Sequence, residues 1–318
     1  MGTVVNVGII GLGRRWRQRY RPALLGLPEH YRLSAVCDPV RHRAIQEARR
    51  LGCQAAAGPA ALLERPDIDA VLLLDAPWYR LWPVELACGA GKPIFCACPL
   101  ELDEAQVETL LGKVRDRRLP VLVVMVPRFA PVLRELRELL QHHLGSPRLV
   151  LAESVQPSRW PTGETPSQSV LAPLPGLPLL DWCVGLLGTE PASVLAAGNP
   201  EVDFSSLFLE CGPGSAVQIT KRRAPGARRF LGFKVVTERG LATAVWPDRL
   251  RWTGSDGTHI HILRGQPPVG RLLLEHFYQG VTAGEPLQPN LEDAYRVFTW
   301  WRAARRSLTE GRRVSLKV

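Results

Sequence analysis

The residues best suited to bind a charged small molecule are a glycine turn near the N-terminus and an aspartate further along. Gly11-Leu12-Gly13 ends the apolar run Val4–Ile10, and Asp38 ends a second apolar run, Leu33–Cys37. A buried strand, a glycine turn, a helix and a second strand closed by an acid are typical of dinucleotide binding. Glycine lets the backbone approach a pyrophosphate, the helix N-terminus attracts its charge, and the acid accepts ribose hydroxyls. We therefore expect this segment to bind a dinucleotide.

Charge around this turn bears on which dinucleotide binds. Asp38 favours NAD, because a carboxylate repels the 2′-phosphate of NADP. Three arginines could pair with that phosphate, so NADP stays an alternative cofactor: Arg14, Arg15 and Arg41. The other interpretation is that they are solvated arginines at helix starts. Trp16 stands where G-x-G-x-x-G has its third glycine. We expect Trp16 to push the helix outward or to point into solvent or a partner, which would weaken binding without excluding it.

The elements that must position these residues alternate between strands and helices up to about residue 125. This alternation predicts an α/β fold with a doubly wound parallel sheet. From Arg148 onward strand-like segments dominate, and they predict an α+β domain with a mostly antiparallel open sheet. We therefore expect domains at 1–125 and 126–318, with a closing helix at 290–309 for which packing back on the first domain is one option.

Two segments of the second half are interpreted as connections. The proline-rich stretch Gln156–Pro178 predicts a long irregular loop, and such loops commonly act as lids or partner contacts. The basic run Lys221–Arg229, interrupted by a proline and a glycine, predicts a hairpin tip with solvated charge.

Composition excludes several functional classes. The 46% hydrophobic and 22% charged content is that of a globular protein, and the chain has neither a signal-peptide pattern nor an apolar run of roughly 18 residues that could span a membrane. We expect a cytoplasmic protein. The net charge of +10 comes from scattered arginines near acids, which argues against nucleic-acid binding. The seven cysteines contain no C-x-x-C pair, so reduced thiols and no metal site are expected.

Several motifs carry a family resemblance over nearly the whole chain. They are the run Gly91–Leu100, the strand entry Pro66–Val71, Arg128-Phe129-x-Pro131 and Leu144-Gly145-x-Pro147-Arg148. Together they resemble the glucose–fructose oxidoreductase/inositol dehydrogenase (Gfo/Idh/MocA) family. The resemblance implies an NAD(P)-dependent oxidoreductase for a sugar-like or other polar carbonyl or alcohol. It further implies Ala76, Pro77 and Ala97 beside the cofactor, and a homodimer or homotetramer formed through the open sheet.

The resemblance fails at the residues that transfer protons in this family. The lysine of its Glu-Lys-Pro segment is replaced by Cys98, and the histidine of its Asp-x-x-x-His helix by Gly185, whereas Asp181 is retained. Asp181, Tyr79 and Cys98 are therefore the candidate catalytic residues. Cys98 could act only if nearby positive charge lowered its pKa. Tyr79 either stacks on a flat ligand or packs at a helix start.

Three hypotheses follow from this mixture. The first is an oxidoreductase with a rebuilt set of acid and base groups. The second is a pseudoenzyme that senses, scaffolds or binds, since loss of one general acid or base typically costs a factor of about 10²–10⁴. The third is non-redox chemistry with a transiently used nicotinamide. Oxidoreductase is the best broad description, and whether the chain catalyses a reaction stays open at this stage.

Overall fold

The computed structural model describes residues 3–74, 81–97, 104–157, 176–199 and 204–316, with side chains of the fifth helix described from residue 106. The predicted site residues Ala76, Pro77, Tyr79 and Cys98, and most of the proline-rich stretch, lie outside these ranges. The chain divides into two compact units. The first comprises residues 1–124 and 267–295, and the second comprises residues 125–266 and 296–318.

A six-stranded parallel sheet forms the centre of the first unit, in the order β3-β2-β1-β4-β5-β6. Its strands are β1 (Val5–Ile10), β2 (Tyr31–Cys37), β3 (Gln54–Ala55), β4 (Ala70–Leu73), β5 (Ile94–Cys96) and β6 (Val121–Val123). Between them lie helices α1 (Arg21–Leu25), α2 (Arg41–Leu51), α3 (Pro59–Leu63), α4 (Trp82–Gly89) and α5 (Glu104–Asp116). Val7, Ile9 and Ile10 of β1 are fully buried, as expected for a strand covered on both faces. The predicted doubly wound fold is confirmed.

The second unit is built on a nine-stranded sheet, ordered β14-β13-β12-β11-β7-β10-β9-β8-β15. Its helices are α6 (Pro131–Leu139) and α7 (Leu177–Leu187). Its strands are β7 (Pro147–Pro157), β8 (Ser193–Asn199), β9 (Phe204–Glu210), β10 (Ala216–Ala224), β11 (Phe230–Thr237), β12 (Leu241–Val245), β13 (Arg249–Gly254), β14 (Gly257–Ile262) and β15 (Val314–Ser315). Strands β7 and β10 pair in parallel, and the other described pairs are antiparallel. The predicted mostly antiparallel sheet is also confirmed.

Two long helices, α8 (Val269–Thr282) and α9 (Leu291–Glu310), lie between β14 and β15 in the chain. Helix α8, for which the sequence analysis has no counterpart, belongs to the first unit. Its Leu274 carbonyl accepts a hydrogen bond from the Tyr31 hydroxyl at 2.7 Å, and Phe277 packs edge-on against Phe95 with ring centroids 5.5 Å apart. Both Leu274 and Phe277 are fully buried, so α8 completes the core on one side of the parallel sheet.

The hairpin predicted at Lys221–Arg229 is wrong. Strands β10 and β11 lie on opposite sides of β7, so the connection between them passes over the end of that strand. Lys221 is buried, although its charge was expected to be solvated. No helix among the described residues is long and apolar enough to cross a membrane.

Candidate functional site

The glycine turn lies at the carboxyl end of β1, where the strand order of the parallel sheet reverses between β1 and β4. Crevices at such switch points are where open α/β sheets bind ligands. Gly11 has φ +94°, a conformation that side chains disfavour, and its N–H donates to the Cys37 carbonyl at 2.9 Å. The N–H groups of Gly13 and Arg14, at the start of the helical segment, have no acceptor on the described part of the chain. These donors and the bare glycines fit a dinucleotide pyrophosphate.

Asp38 stabilises this turn directly. Its carboxylate is 1% exposed and accepts the Leu12 N–H at 2.8 Å and the Val40 N–H at 2.9 Å. Arg43 donates to both oxygens, at 3.1 and 3.2 Å. A carboxylate has about four acceptor positions, and protein donors already engage all of them. The ribose contact predicted for Asp38 therefore requires one of these bonds to open, and it stays a prediction.

Trp16 is fully buried within the first unit. The expectation that it points into solvent or a partner is wrong, because its indole N–H donates to the Glu47 carboxylate at 2.8 Å. Arg21 reaches the same carboxylate at 3.2 Å. The segment Trp16–Tyr20 forms a π-helical turn, a wider helix than the α form. A wider turn gives room for the large ring where a regular glycine-containing helix would pack closely.

Other predicted residues lie near the same edge of the sheet. Ala97 follows β5, and its N–H donates to the Leu73 carbonyl at 2.7 Å. Arg15 reaches the Leu74 carbonyl at 3.4 Å, whereas Arg14 pairs with Gln18 at 2.7 Å along an exposed face. The turn, the end of β4 and Ala97 thus line one edge, as the parallel topology requires.

The buried thiols of the first unit are poor nucleophiles. Burial raises the pKa of Cys37 and of Cys88 to about 11. Such thiols stay protonated at neutral pH and behave as small apolar groups. Among the described residues, no three His, Cys, Asp or Glu side chains are grouped so that they could hold a metal ion.

In the second unit, Asp181 forms a bidentate ion pair with Arg128. Arg128 Nε donates to Oδ2 at 2.7 Å and Nη2 donates to Oδ1 at 2.6 Å. The Asp181 side chain is 2% exposed and that of Arg128 is 20% exposed. Two short, parallel, charge-assisted bonds fix the carboxylate in one orientation on α7. The catalytic role predicted for Asp181 is not decided by this geometry and stays a prediction.

One helical turn after Asp181, Gly185 leaves open space beside a second arginine. Gly185 is exposed, and a Cβ at that position would lie 3.8 Å from Nη2 of Arg137. Burial and the nearby Arg128 charge lower the pKa of Arg137, and the Asp181 carboxylate opposes them. The cluster therefore contains two guanidinium groups and one carboxylate, and it carries a net positive charge.

Gly185→Ala should raise the free energy of unfolding by about 0.5–1 kcal/mol, because glycine inside a helix costs backbone entropy relative to alanine. The added Cβ makes only ordinary contact with Arg137. Urea denaturation measures the change. Gly112→Ala, inside α5 with nothing within 4 Å of the new Cβ, is the matched control and should show a similar gain. A loss of stability in Gly185→Ala alone would show that the space beside Arg137 is tighter than the structure indicates.

Sequence reasoning did not find the partnership of Arg128, Arg137 and Asp181. Arg128 was singled out within a motif, but nothing in its position relates it to a carboxylate 53 residues away. Arg137 follows the ordinary pattern of charge on an amphipathic helix. The packing of α7 against the 3₁₀ turn Val126–Phe129 brings Asp181 to Arg128, and α6 places Arg137 beside them.

Comparison with known proteins agrees with this architecture. Residues 5–124 match the model of the Gfo/Idh/MocA oxidoreductase family with an NAD-binding Rossmann fold. The chain is 25% identical over 337 aligned positions to inositol 2-dehydrogenase of Rhizobium meliloti, covering 98% of this chain and 99% of that protein. It is 26% identical to UDP-N-acetylglucosamine 3-dehydrogenase of Acidithiobacillus ferrooxidans, covering 69% of this chain and 67% of that protein.

A solved structure shows the same fold over the full length. The aldose-aldose oxidoreductase of Caulobacter crescentus superposes with a TM-score of 0.85 at 18% identity, covering 99% of this chain and all of that chain. With the sheet order and the glycine turn, these findings show that residues 5–124 are similar to the NAD-binding Rossmann domain of the Gfo/Idh/MocA oxidoreductase family, and that nearly the whole chain is similar to an inositol 2-dehydrogenase. Its relatives include dehydrogenases of sugar-like molecules.

Proposed function

We propose that this protein is an NAD-dependent oxidoreductase that acts on an alcohol or carbonyl of a sugar-like molecule. The observation that carries this proposal is the glycine turn at the switch point of the parallel sheet, with Gly11 at φ +94° and helix-start amides beside it. A bound nicotinamide dinucleotide would accept or supply a hydride. The residues of this chain would hold the cofactor, orient the substrate and move the alcohol proton.

The preference for NAD rests on Asp38 at the end of β2. Its carboxylate would disfavour a 2′-phosphate, although the half-exposed Arg43 beside it offers some compensating charge. Titration calorimetry with NAD, NADH, NADP and NADPH tests both the binding and the preference. We expect micromolar binding, tighter for NAD than for NADP. Tighter binding of NADP would reverse the preference, and no binding of any of the four would contradict the proposed function.

Gly11→Ala should reduce dinucleotide affinity by at least tenfold, because a Cβ at φ +94° strains the turn and blocks close approach of a pyrophosphate. Gly52→Ala is the matched control. Gly52 also has a positive φ, but it lies at the end of α2 with open space around it. Calorimetry on both variants separates backbone strain from loss of the site. Equal affinity in the Gly11 variant and the unaltered protein would show that this turn does not bind the cofactor.

The lysine and the histidine that transfer protons in the Gfo/Idh/MocA family are replaced here by Cys98 and Gly185. Other groups must therefore transfer the alcohol proton. Gly185 carries no side chain, and Asp181 is engaged by Arg128. We therefore propose Tyr79 and Cys98, both outside the described residues, as the groups that exchange the alcohol proton. Tyr79→Phe should lower kcat by about 10²–10⁴ with little change in NAD affinity. Unchanged kcat would remove Tyr79 from the mechanism.

The relatives suggest the first substrates for a screen, myo-inositol and UDP-N-acetylglucosamine, with nicotinamide absorbance as the readout. Nothing in the fold or the comparisons favours a pseudoenzyme over an oxidoreductase. NAD binding without turnover across polyols, sugars and nucleotide sugars would favour the pseudoenzyme.

We also propose a cytoplasmic location. The free thiols support it, namely those of Cys37, Cys53, Cys88, Cys96, Cys183 and Cys211.

We further propose a homodimer or homotetramer formed through the open face of the nine-stranded sheet. Helix α7 covers the other face, where Trp182 packs on Phe233 with ring centroids 4.7 Å apart. On the open face, cross-strand neighbours include Leu151 beside Lys234, and Phe230 is 39% exposed. A half-exposed surface of mixed apolar and charged groups is suited to association. Light scattering should give a mass of two or four chains, and a monomer would contradict the proposal.

A further inference from the structure

The cluster formed by Arg128 of the 3₁₀ turn, Arg137 of α6 and Asp181 of α7 contains a guanidinium group that no described residue pairs with. Arg128 is neutralised by its bidentate pair with Asp181. Arg137 is half-buried, and no described residue makes a hydrogen bond or ion pair with its side chain. Its charged neighbours are Arg128, which repels it, and Asp181, whose oxygens are both engaged by Arg128. A half-buried cation in this setting lacks the counter-charge that proteins normally supply.

Among the described residues, only Nη2 of Arg137 lies within 4 Å of a Cβ placed at Gly185, so that part of the chain leaves the space in front of this group open. Gly185 is exposed, and the absence of its side chain leaves Nη2 of Arg137 uncovered on that side. The neighbouring residues of α7, Trp182 and Cys183, are buried and hold the helix against the sheet. The guanidinium group therefore lies beside a helix that is packed against the sheet, and it is partly accessible to solvent.

The chemistry of this arrangement selects for an anion. A guanidinium group presents parallel N–H donors whose spacing matches the oxygens of a carboxylate or a phosphate. Hydrogen bonds that involve a charged group are stronger than neutral ones, and partial burial reduces screening by salt. A neutral hydroxyl would leave the positive charge of Arg137 uncompensated.

We propose that Arg137, in the space left by Gly185, binds an oxyanion of the substrate, either a carboxylate or a phosphate. This inference rests on the proposed function and on the family resemblance, which implies that the face of α7 carrying Asp181 and Gly185 lies toward the substrate. The substrate class then becomes an acidic sugar derivative, and a neutral polyol is disfavoured. Arg137 is a specificity-determining residue, and it takes no part in proton transfer.

The test uses the full-length protein with saturating NAD and three probes: D-glucuronate, glucose 6-phosphate and D-glucose. Calorimetry should show that one anionic probe binds at least tenfold more tightly than glucose. Tighter binding of glucuronate identifies a carboxylate, and tighter binding of glucose 6-phosphate identifies a phosphate. Arg137→Gln should remove about 10- to 100-fold of that affinity without changing the affinity for glucose. No preference for either anion in the unaltered protein would overturn the inference.

Arg134→Gln is the matched control, because Arg134 is an exposed arginine on the same helix, one turn earlier. It should keep the anion preference, and an equal loss in both variants would show only a diffuse effect of positive charge. Gly185→Asp is a second variant that leaves Arg137 in place. Its carboxylate should pair with the nearby Nη2, occupy the ligand position and abolish the preference, and an unchanged preference would also overturn the inference.

The outcomes separate this inference from the proposed function. Repeating the probe titrations without dinucleotide measures the anion site alone. Anion binding that depends on Arg137, in a protein that binds no dinucleotide, would support the site and contradict the proposed function. NAD binding and turnover of neutral sugars, with no anion preference, would support the proposed function and overturn the anion site.

Discussion

Arg128→Met should lower the free energy of unfolding by about 3 kcal/mol, because it leaves the Asp181 carboxylate buried without its counter-charge. The Asp181 side chain is 2% exposed, and both of its oxygens accept hydrogen bonds from Arg128. Methionine retains much of the apolar volume of the arginine stem, so the loss reports mainly on the ion pair. Urea denaturation followed by circular dichroism measures the change.

The double variant Arg128→Met with Asp181→Leu is the decisive control for this pair. Removing both charged groups eliminates the unpaired carboxylate, so most of the lost stability should return. Comparing the single and the double variant also separates the effect of the ion pair on folding stability from its effect on catalysis. If the ion pair acts only in folding, the double variant should retain NAD turnover, whereas a catalytic Asp181 predicts a folded protein with greatly reduced kcat. A single variant as stable as the unaltered protein would show that water or another cation compensates Asp181.

Trp16→Ala should cost about 3–5 kcal/mol of folding free energy, because it empties a large space in the first unit. Trp16 is fully buried, and its indole N–H is bonded to Glu47. If Trp16 instead pointed into solvent or a partner, which the sequence alone left as one option, its truncation would cost little stability. Thermal and urea unfolding distinguish these two outcomes.

Trp16→Phe isolates the hydrogen bond from the packing. It keeps an aromatic ring but deletes the donor to Glu47, which retains Arg21 as a partner. We expect a smaller loss than for alanine, about 1–3 kcal/mol. An unchanged unfolding midpoint in Trp16→Ala would contradict the prediction, because it would show that burial of the ring does not stabilise the π-helical turn.

Much of the first unit is predictable because its signals are local. The predicted helix over 41–51 coincides with α2, and the predicted run Val4–Ile10 differs from β1 by one residue. A parallel strand buried on both faces needs a continuous apolar run, and a positive φ at its end needs glycine. Both requirements are met by adjacent residues, so no knowledge of distant contacts is necessary.

The second unit shows where local signals fail. Strand β13 has no counterpart in the sequence analysis because arginines occupy its first and third positions, Arg249 and Arg251, as suits exposed positions next to an edge strand. At that edge, His259 and His261 alternate along β14 with Ile260 and Ile262, a pattern that predicts one wet and one buried face. Instead Ile260 is 70% exposed, because β14 has a neighbour on one side only.

The sequence by itself determined the class of fold and the position of the glycine turn, and it carries the resemblance to the Gfo/Idh/MocA family, since these depend on residue types at short spacing. The tertiary structure alone decided that Asp38 is engaged by protein donors, that Trp16 is buried, and that Asp181 is paired with Arg128. Each of these depends on groups from different elements meeting at hydrogen-bond distance. Hydrogen bonds and ion pairs act over a few ångströms in space, and the order of residues along the chain does not encode that distance.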